Sequence, residues 1–465
     1  MHLNRAMAIT ETEGMPLPGR YLAILTIALG VSTSVITGTI TNVALPTISR
    51  DLSTDPSMTI WVVNAFQLAT MVALLSFSSL GEIYGYRRIY LFGLVLFSIT
   101  SLLCALSTSF WMLTLSRVLQ GFGAAAINSV NTALLRIIYP KQQLGRGMGI
   151  NAFVVAVSIA AGPTFASAIL SLGSWHWLFA VNIPFAVAAF ILGISYLPLN
   201  PAKTLDQKFD ITNSMMNALT FALLIFTMES IAHDCSRAVI IALALGFMVV
   251  CYFFVRRQLS QTFPMLPLDL LRIPIFSLSI INSIFSFMAQ MLAMISLPFF
   301  LQNSLGRSDV ATGLLFTAWP IASMVAAPAA GYLVEKIHPG ILGAIGMLTF
   351  ASGLFLLTVM PLWPSDMDIM WRLAVCGAGF SLFQTPNNST IISSAPVNRS
   401  GGASGMLSMA RLLGQTIGAT LVSMLFGLAH DNGTQICLYL AFAFAIIAAI
   451  ISCIRISQPA PMKKK

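Results

Sequence analysis

Three charged side chains fall inside long apolar runs of this 465-residue sequence, and membrane chemistry would have to be built on them: Arg117, Glu229 and Arg411. An enclosed carboxyl can take up and release a proton, because burial and neighbouring donors bring its protonation into a working range. An enclosed guanidinium keeps its charge and must find carbonyl oxygens, an anion or water. Of the 15 acidic residues, only Glu229 is a plausible intramembrane acid, and none of the 5 histidines stands at the centre of an apolar run. No GxxxxGK[ST] loop offers itself to ATP phosphates. The 6 cysteines lack metal-ligand spacing and read as small packing residues. No metal, cofactor or paired catalytic set is expected.

The solvent of these charges follows from composition. The chain is 57% hydrophobic and 8% charged, where a soluble domain carries about 25% charged residues. Apolar stretches of about 20 residues recur, each long enough to cross about 30 Å of hydrocarbon. Fourteen spans are expected, at 21–45, 58–80, 89–107, 110–132, 148–170, 176–197, 211–232, 238–255, 273–300, 310–333, 339–361, 369–393, 403–429 and 434–454. Backbone facing lipid must bond within its own segment, and these runs are too long for barrel strands, so the fold class is all-α. The polar first 20 residues have no apolar core of their own, so the first span reads as retained, not cleaved.

With the spans numbered alternately from a cytoplasmic N-terminus, about 18 basic residues fall inside and about four outside (Arg50, Arg237, Arg307 and Arg372). Both termini are therefore expected in the cytoplasm, in contact with a lipid bilayer. The net charge of +9 is a topology signal, and without a basic soluble module there is no nucleic-acid partner.

The chain also repeats itself. Gly121, Gly123 and Asn131 of span 4 lie over Gly377, Gly379 and Asn387 of span 12, while Gly149 and Gly162 of span 5 lie over Gly405 and Gly418 of span 13, all at an offset of about 256. "SLGEIYGYRR" after span 2 returns as "GYLVEKIHPG" after span 10, with Glu335 for Glu82. The expected organisation is a tail at 1–20, a six-helix bundle at 21–197, two inserted helices and linkers at 198–272, a second six-helix bundle at 273–454 and a basic tail at 455–465. Duplicated halves around a midplane site are the plan of secondary transporters.

Four patterns together, "TITNVALPTIS", "SLGEIYGYRR", "RVLQGFGAAA" and "AAGP" followed by "SWHWLFAVNIPF", resemble the Major Facilitator Superfamily in its fourteen-helix drug:proton antiporter branch. The likeness runs over essentially the whole chain. It implies that the acid at Glu82, usually Asp, bonds the cytoplasmic end of a helix in the other half when the protein opens outward. "SGGASG" at 400–405 would supply that end, and by symmetry Glu335 would face "GRGMG" at 145–149. It also implies a proton-coupling role for Arg117.

This sequence departs from the pattern at Thr37, where relatives commonly carry aspartate, at Ala166 and Ser167, where they carry glycines, and at His176, often Arg. Thr37 cannot carry a proton, which leaves Glu229 as the acid for coupling or, alternatively, as a hydrated helix end near His233. Arg87 and Arg88 either fix topology or belong to the knot at Glu82. Gly162 and Pro163 either bend span 5 as a gate or merely kink it.

Arg117, Gln120, Asn128 and Asn131 share one helical face, which either looks into a wet cavity or forms a packing seam. Polar groups awkward against lipid are Thr37, Asn42, Asn64, Gln67, Gln290, Gln384 and Asn387. Trp61, Trp319 and Met294 would add an adaptable apolar wall. Arg411 either pairs with backbone carbonyls or meets a substrate.

The reading is a monomeric, proton-coupled exporter of lipophilic or cationic small molecules in a bacterial inner membrane, working by alternating access. A narrower exporter of one metabolite or organic anion is the alternative. A polytopic enzyme or receptor would need paired catalytic groups at one depth or a soluble sensor, which the sequence does not offer.

Overall fold

The computed structural model describes residues 14–140, 143–199, 209–232, 236–260, 268–334, 336–361, 363–395, 400–428 and 432–457. Fourteen long helices run through them. The first six are α1 (Gly19–Asp51), α2 (Pro56–Tyr84), α3 (Tyr86–Ala105), α4 (Phe110–Ile138), α5 (Leu144–Leu172) and α6 (Trp177–Tyr196). Next come α7 (Ile211–Ala232) and α8 (Arg237–Ser260). The last six are α9 (Pro274–Ser304), α10 (Asp309–Leu333), α11 (Pro339–Thr358), α12 (Asp366–Ser394), α13 (Ser400–Leu428) and α14 (Gly433–Ile454). Thirteen are apolar enough to cross a membrane by composition alone. The exception, α12, carries Gln384, Asn387 and Asn388, and it packs against α9, α10, α11 and α13.

The helices outrun the apolar spans at several ends. Hydropathy marks the stretch that sits in hydrocarbon, whereas backbone hydrogen bonding continues to a cap or breaker. Thus α2 runs past Leu80 and carries Glu82, and it stops where Gly85 adopts φ 109°, a left-handed conformation that favours glycine. Ser109, Ser308 and Ser365 cap α4, α10 and α12 by accepting from the N–H three residues on. Proline stands at the first helical position of α2, α9 and α11.

Helices α1–α6 pack on one another, as do α9–α14, and the two groups meet mainly along two seams, α2 against α13 and α5 against α10, with α1 also touching α9. Helix α7 lies over the first seam, touching both α2 and α13, and α8 packs on α7 with almost all of its surface outward. The α7–α8 hairpin is tied by the Arg257–Asp210 salt bridge at 3.1 Å and is fixed to α2 where Asn217 donates to the Val72 carbonyl at 3.0 Å. We call the side where α1 begins and α14 ends the near side, and the opposite one the far side.

Duplication is visible in the packing. Gly121 presses α4 onto α2 so closely that a Cβ would lie 2.5 Å from the Phe66 carbonyl oxygen, and Gly377 presses α12 onto α10, where a Cβ would lie 2.1 Å from that of Trp319. Without a hydrophobic driving force between helices in lipid, such backbone-to-backbone contact is a main source of cohesion. Gly377→Ala should therefore lower the melting temperature of the detergent-purified protein, at a cost of at least about 1–3 kcal/mol. Gly331→Ala, whose methyl would meet nothing within 4 Å, should leave it unchanged.

Candidate functional site

On the far side the two bundles are joined. Arg50 at the end of α1 pairs with Asp309 at the start of α10 (3.1 Å) and donates to Gln302 of α9 (3.2 Å), whose amide donates back to the Val43 carbonyl (3.2 Å). Along α5 and α10 the closure is steric. A Cβ on Gly313 would lie 1.7 Å from Ser167 Oγ and 2.9 Å from the Pro163 carbonyl oxygen, and one on Gly162 would lie 2.2 Å from Thr39 Oγ1 of α1. Gly162–Pro163 thus admits α1 on one flank while α10 comes in on another. The serine at 167, in place of the glycine implied by resemblance, is accommodated by a glycine of the opposite bundle.

The α2–α13 seam is polar at its far end. Glu229 of α7 is buried, 4% exposed, and does not stand as a hydrated helix end. Asn64 of α2 donates to its Oε1 at 3.1 Å, Ser423 of α13 lies 3.2 Å from its Oε2, and the Trp61 indole is a further partner. Asn64 also reaches Thr420 Oγ1 at 3.4 Å, and Ser423 Oγ lies 3.1 Å from the Ser57 carbonyl oxygen. Ser423 has one O–H for two acceptors. His233 lies outside the described residues.

From there the seam turns apolar, with Met71, Leu74 and Leu75 packed on Met409 and Leu412. Beyond it, on the near side, the described residues make no hydrogen bond from one bundle to the other. Glu82 is exposed and has no hydrogen-bond partner among the described residues, and a Cβ on Gly405 or Gly331 would touch nothing within 4 Å. The expected bond from Glu82 to the start of α13 is therefore not made in this arrangement. Glu335 lies outside the described residues. Arg87 donates to the Ile194 carbonyl and so ties α3 to α6, while Arg88 is exposed.

Several residues expected on a cavity wall lie inside one bundle instead. Arg117 is wholly buried between Phe66 and Phe179, donating to the Val62 carbonyl (2.9 Å) and to Gln120 (2.7 Å), whose amide donates to Ser101 (2.8 Å). The polar face of α4 is thus a packing seam at this level, and aromatic faces and carbonyls compensate the charge. Trp319 packs edge-on against Phe350, and Asn387 is bonded to Ser279 and Ser283 within the second bundle. Thr37, Asn42 and Gln67 are buried with an unpaired side-chain oxygen each, and Trp61 stacks on Phe226 of α7.

Of the expected cavity residues, those left half-buried besides Trp61 are Asn128, bonded to Ser34 (2.8 Å), and, with no hydrogen bond among the described residues, Gln290, Met294, Gln384 and Arg411. Sequence reasoning missed Arg455. It is buried at the end of α14 and donates to Asn387 Oδ1 at 2.7 Å, across 68 positions that carry no local signal. It missed the Arg50–Asp309 pair for the same reason.

A pair of six-helix groups joined at one end and flanked by a helical hairpin is the geometry to compare with known proteins. The pattern of the Major Facilitator Superfamily matches residues 27–291 and 278–465.

The chain belongs to the Major Facilitator Superfamily.

It is a multi-pass membrane transporter with the Major Facilitator fold, and not an enzyme. Among Major Facilitator relatives, the "Uncharacterized transporter YebQ" of Escherichia coli (strain K12) is 57% identical over 453 residues, 97% of this chain and 99% of that one. The "Riboflavin transporter RibZ" of Clostridioides difficile (strain 630) is 28% identical, covering 88% of each chain. The "Multidrug resistance protein Stp" of Mycobacterium tuberculosis (strain CDC 1551 / Oshkosh) is 28% identical, covering 87% of this chain and 75% of that one. The fold matches the crystal structure of a bacterial homolog to the human lysosomal transporter Spinster, in an inward-facing and occupied conformation, with a TM-score of 0.69 at 15% identity, covering 97% of this chain and 100% of that one.

The steric closure can be trapped. In a Major Facilitator background freed of its native cysteines, the pair Ser167→Cys and Gly313→Cys should form a disulfide under mild oxidation, seen by mass spectrometry. Substrate movement should be lost on oxidation and return on reduction.

Proposed function

We propose that the protein is a proton-coupled exporter of lipophilic small molecules in a bacterial inner membrane, with the near side facing the cytoplasm. The basic residues crowd that side, and relatives named as resistance proteins support efflux as the direction. The cationic cargo expected from sequence has less support, because Arg411 is a half-buried cation within the span and the one deep acid is enclosed elsewhere.

The observation that carries the reading is the Glu229 carboxyl, held between Asn64 of one bundle and Ser423 of the other. The protonated acid completes the set: Asn64 donates to Oε1, the acid O–H donates to Ser423 Oγ, and the serine O–H is free for the Ser57 carbonyl. With the proton gone, Ser423 has to leave one acceptor unsatisfied in a buried place, at a cost of about 1–3 kcal/mol. A far side that closes on the protonated acid and opens on the carboxylate makes proton uptake from outside a condition of returning inward. Gln67, one turn along α2 with its Oε1 unpaired, is the next polar group toward the cytoplasmic side. Glu82 and Glu335 act on the other side as clasps when the near side closes.

The test uses the whole chain in liposomes. Wild type should move a lipophilic dye in response to a pH gradient. Glu229→Gln, which keeps the amide-like bonds of the protonated acid, should still exchange dye down its gradient yet lose pH-driven accumulation by at least about tenfold. Accumulation with unchanged pH dependence in that variant would remove Glu229 from the mechanism.

A further inference from the structure

Arg411 is the deep charge that the proton machinery leaves unused. It stands on α13 eleven residues beyond Ser400, about 16 Å along the helix at 1.5 Å per residue and so inside the hydrocarbon core, toward its near side. The contacts around it fix its depth independently. Gly414, three residues on, lies against Ile284 of α9, and Ser283 of α9 accepts from Asn387 of α12 at 2.7 Å, so Arg411 lies level with the near-side third of both helices.

An arginine at that depth facing lipid would be costly, and the other two fully buried arginines are anchored by protein even though each keeps unpaired nitrogens: Arg117 by a carbonyl, an amide and two aromatic rings, Arg455 by Asn387. Arg411 differs. It remains half-buried, and among the described residues it makes no hydrogen bond, ion pair or ring contact. The alternative of pairing with backbone carbonyls is not what the structure holds. Ser408 and Gln415, on the same face one turn either way, are also half-buried and unbonded, and so is Gln384 on α12, one turn from Asn387.

The repeat shows that this stripe is not required by the fold. At the offset of 256, Ser408, Arg411 and Gln415 stand over Ala152, Val155 and Ile159 in α5. One copy of the bundle is built with small and aliphatic side chains where the other carries a cation and two hydrogen-bonding groups. No acid accompanies the cation: by sequence, every carboxylate other than Glu229 belongs to a tail, a connection or a helix end. Glu229 itself faces Asn64 and Ser423 at the far end of the seam, and Ser423 is twelve residues from Arg411 along α13. What the stripe lacks is an anion.

We propose that the transported molecule is an amphiphilic organic anion whose carboxylate, or a group of like geometry, docks on Arg411 with Ser408, Gln415 and Gln384 as hydrogen-bonding neighbours. The planar guanidinium suits a carboxylate bidentately, and the partly buried Leu407, one turn before it, supplies surface for an apolar remainder. This assignment rests on the export reading above and names its substrate class. Outward movement of an anion is favoured by an inside-negative potential, so transport should respond to voltage in the sense opposite to that of a cation.

The experiment follows three xanthene dyes of one ring system, a free carboxylate, its neutral ester and a cationic analogue, in phosphatidylcholine liposomes holding the full chain, so that no anionic lipid competes. Wild type should transport the carboxylate at least tenfold better than the cation, faster when the compartment it leaves is negative. Arg411→Gln should lose carboxylate transport at least tenfold while keeping that of the ester, and Arg411→Lys should recover part of it. Equal transport of the carboxylate by Arg411→Gln, or equal loss of all three dyes in both variants, would overturn the assignment. A wild type that moves only the cation would overturn it and leave the export reading standing. A wild type that moves no dye would sink both.

Discussion

Everything in this molecule is governed by the scarcity of hydrogen-bond partners in hydrocarbon. A polar group at membrane depth must be satisfied within its own bundle, across a seam, or by water and cargo in the space between. The three deep charges sort themselves by that rule. Arg117 is anchored inside the first bundle with one nitrogen unpaired, Glu229 is bonded across the seam, and Arg411 keeps its donors open. A group satisfied inside one rigid body is indifferent to how the bodies move. A group satisfied across the seam has its bonds made and broken by that motion.

The two seams divide the labour differently. Along α5 and α10 the bundles touch through a proline carbonyl, a serine and a glycine, a contact of shape with no titratable member among these residues. Along α2 and α13 the far end is a hydrogen-bonded cluster and the middle a patch of methionine and leucine. Shape contacts set how closely the halves can approach. The polar cluster adds hydrogen bonds that reach both halves through Glu229.

Much of this was legible in the sequence. Apolar runs of membrane length gave the helix count, and the glycines at 121 and 377 stood out as a repeat before their role in close packing was known. Helix ends were less legible, since α2 continues through Glu82 until a glycine with positive φ stops it, which no hydropathy profile reports. The polar residues were found as a set but not sorted. Helical spacing places Gln120 and Asn128 on one face of α4, yet it cannot say that one meets Arg117 in the core while the other meets Ser34 of α1. Sorting needs the neighbour, and the partners of Glu229 are 165 and 194 positions away.

The α7–α8 hairpin joins the bundles through the bilayer instead of through a simple aqueous loop. Helix α7 touches both α2 and α13, so the halves cannot rock without sliding against it, and the acid it carries belongs to neither of them. The hairpin is in effect a third moving part. Any change in how the two halves sit must be accommodated at the faces of α7 as well as at the two seams.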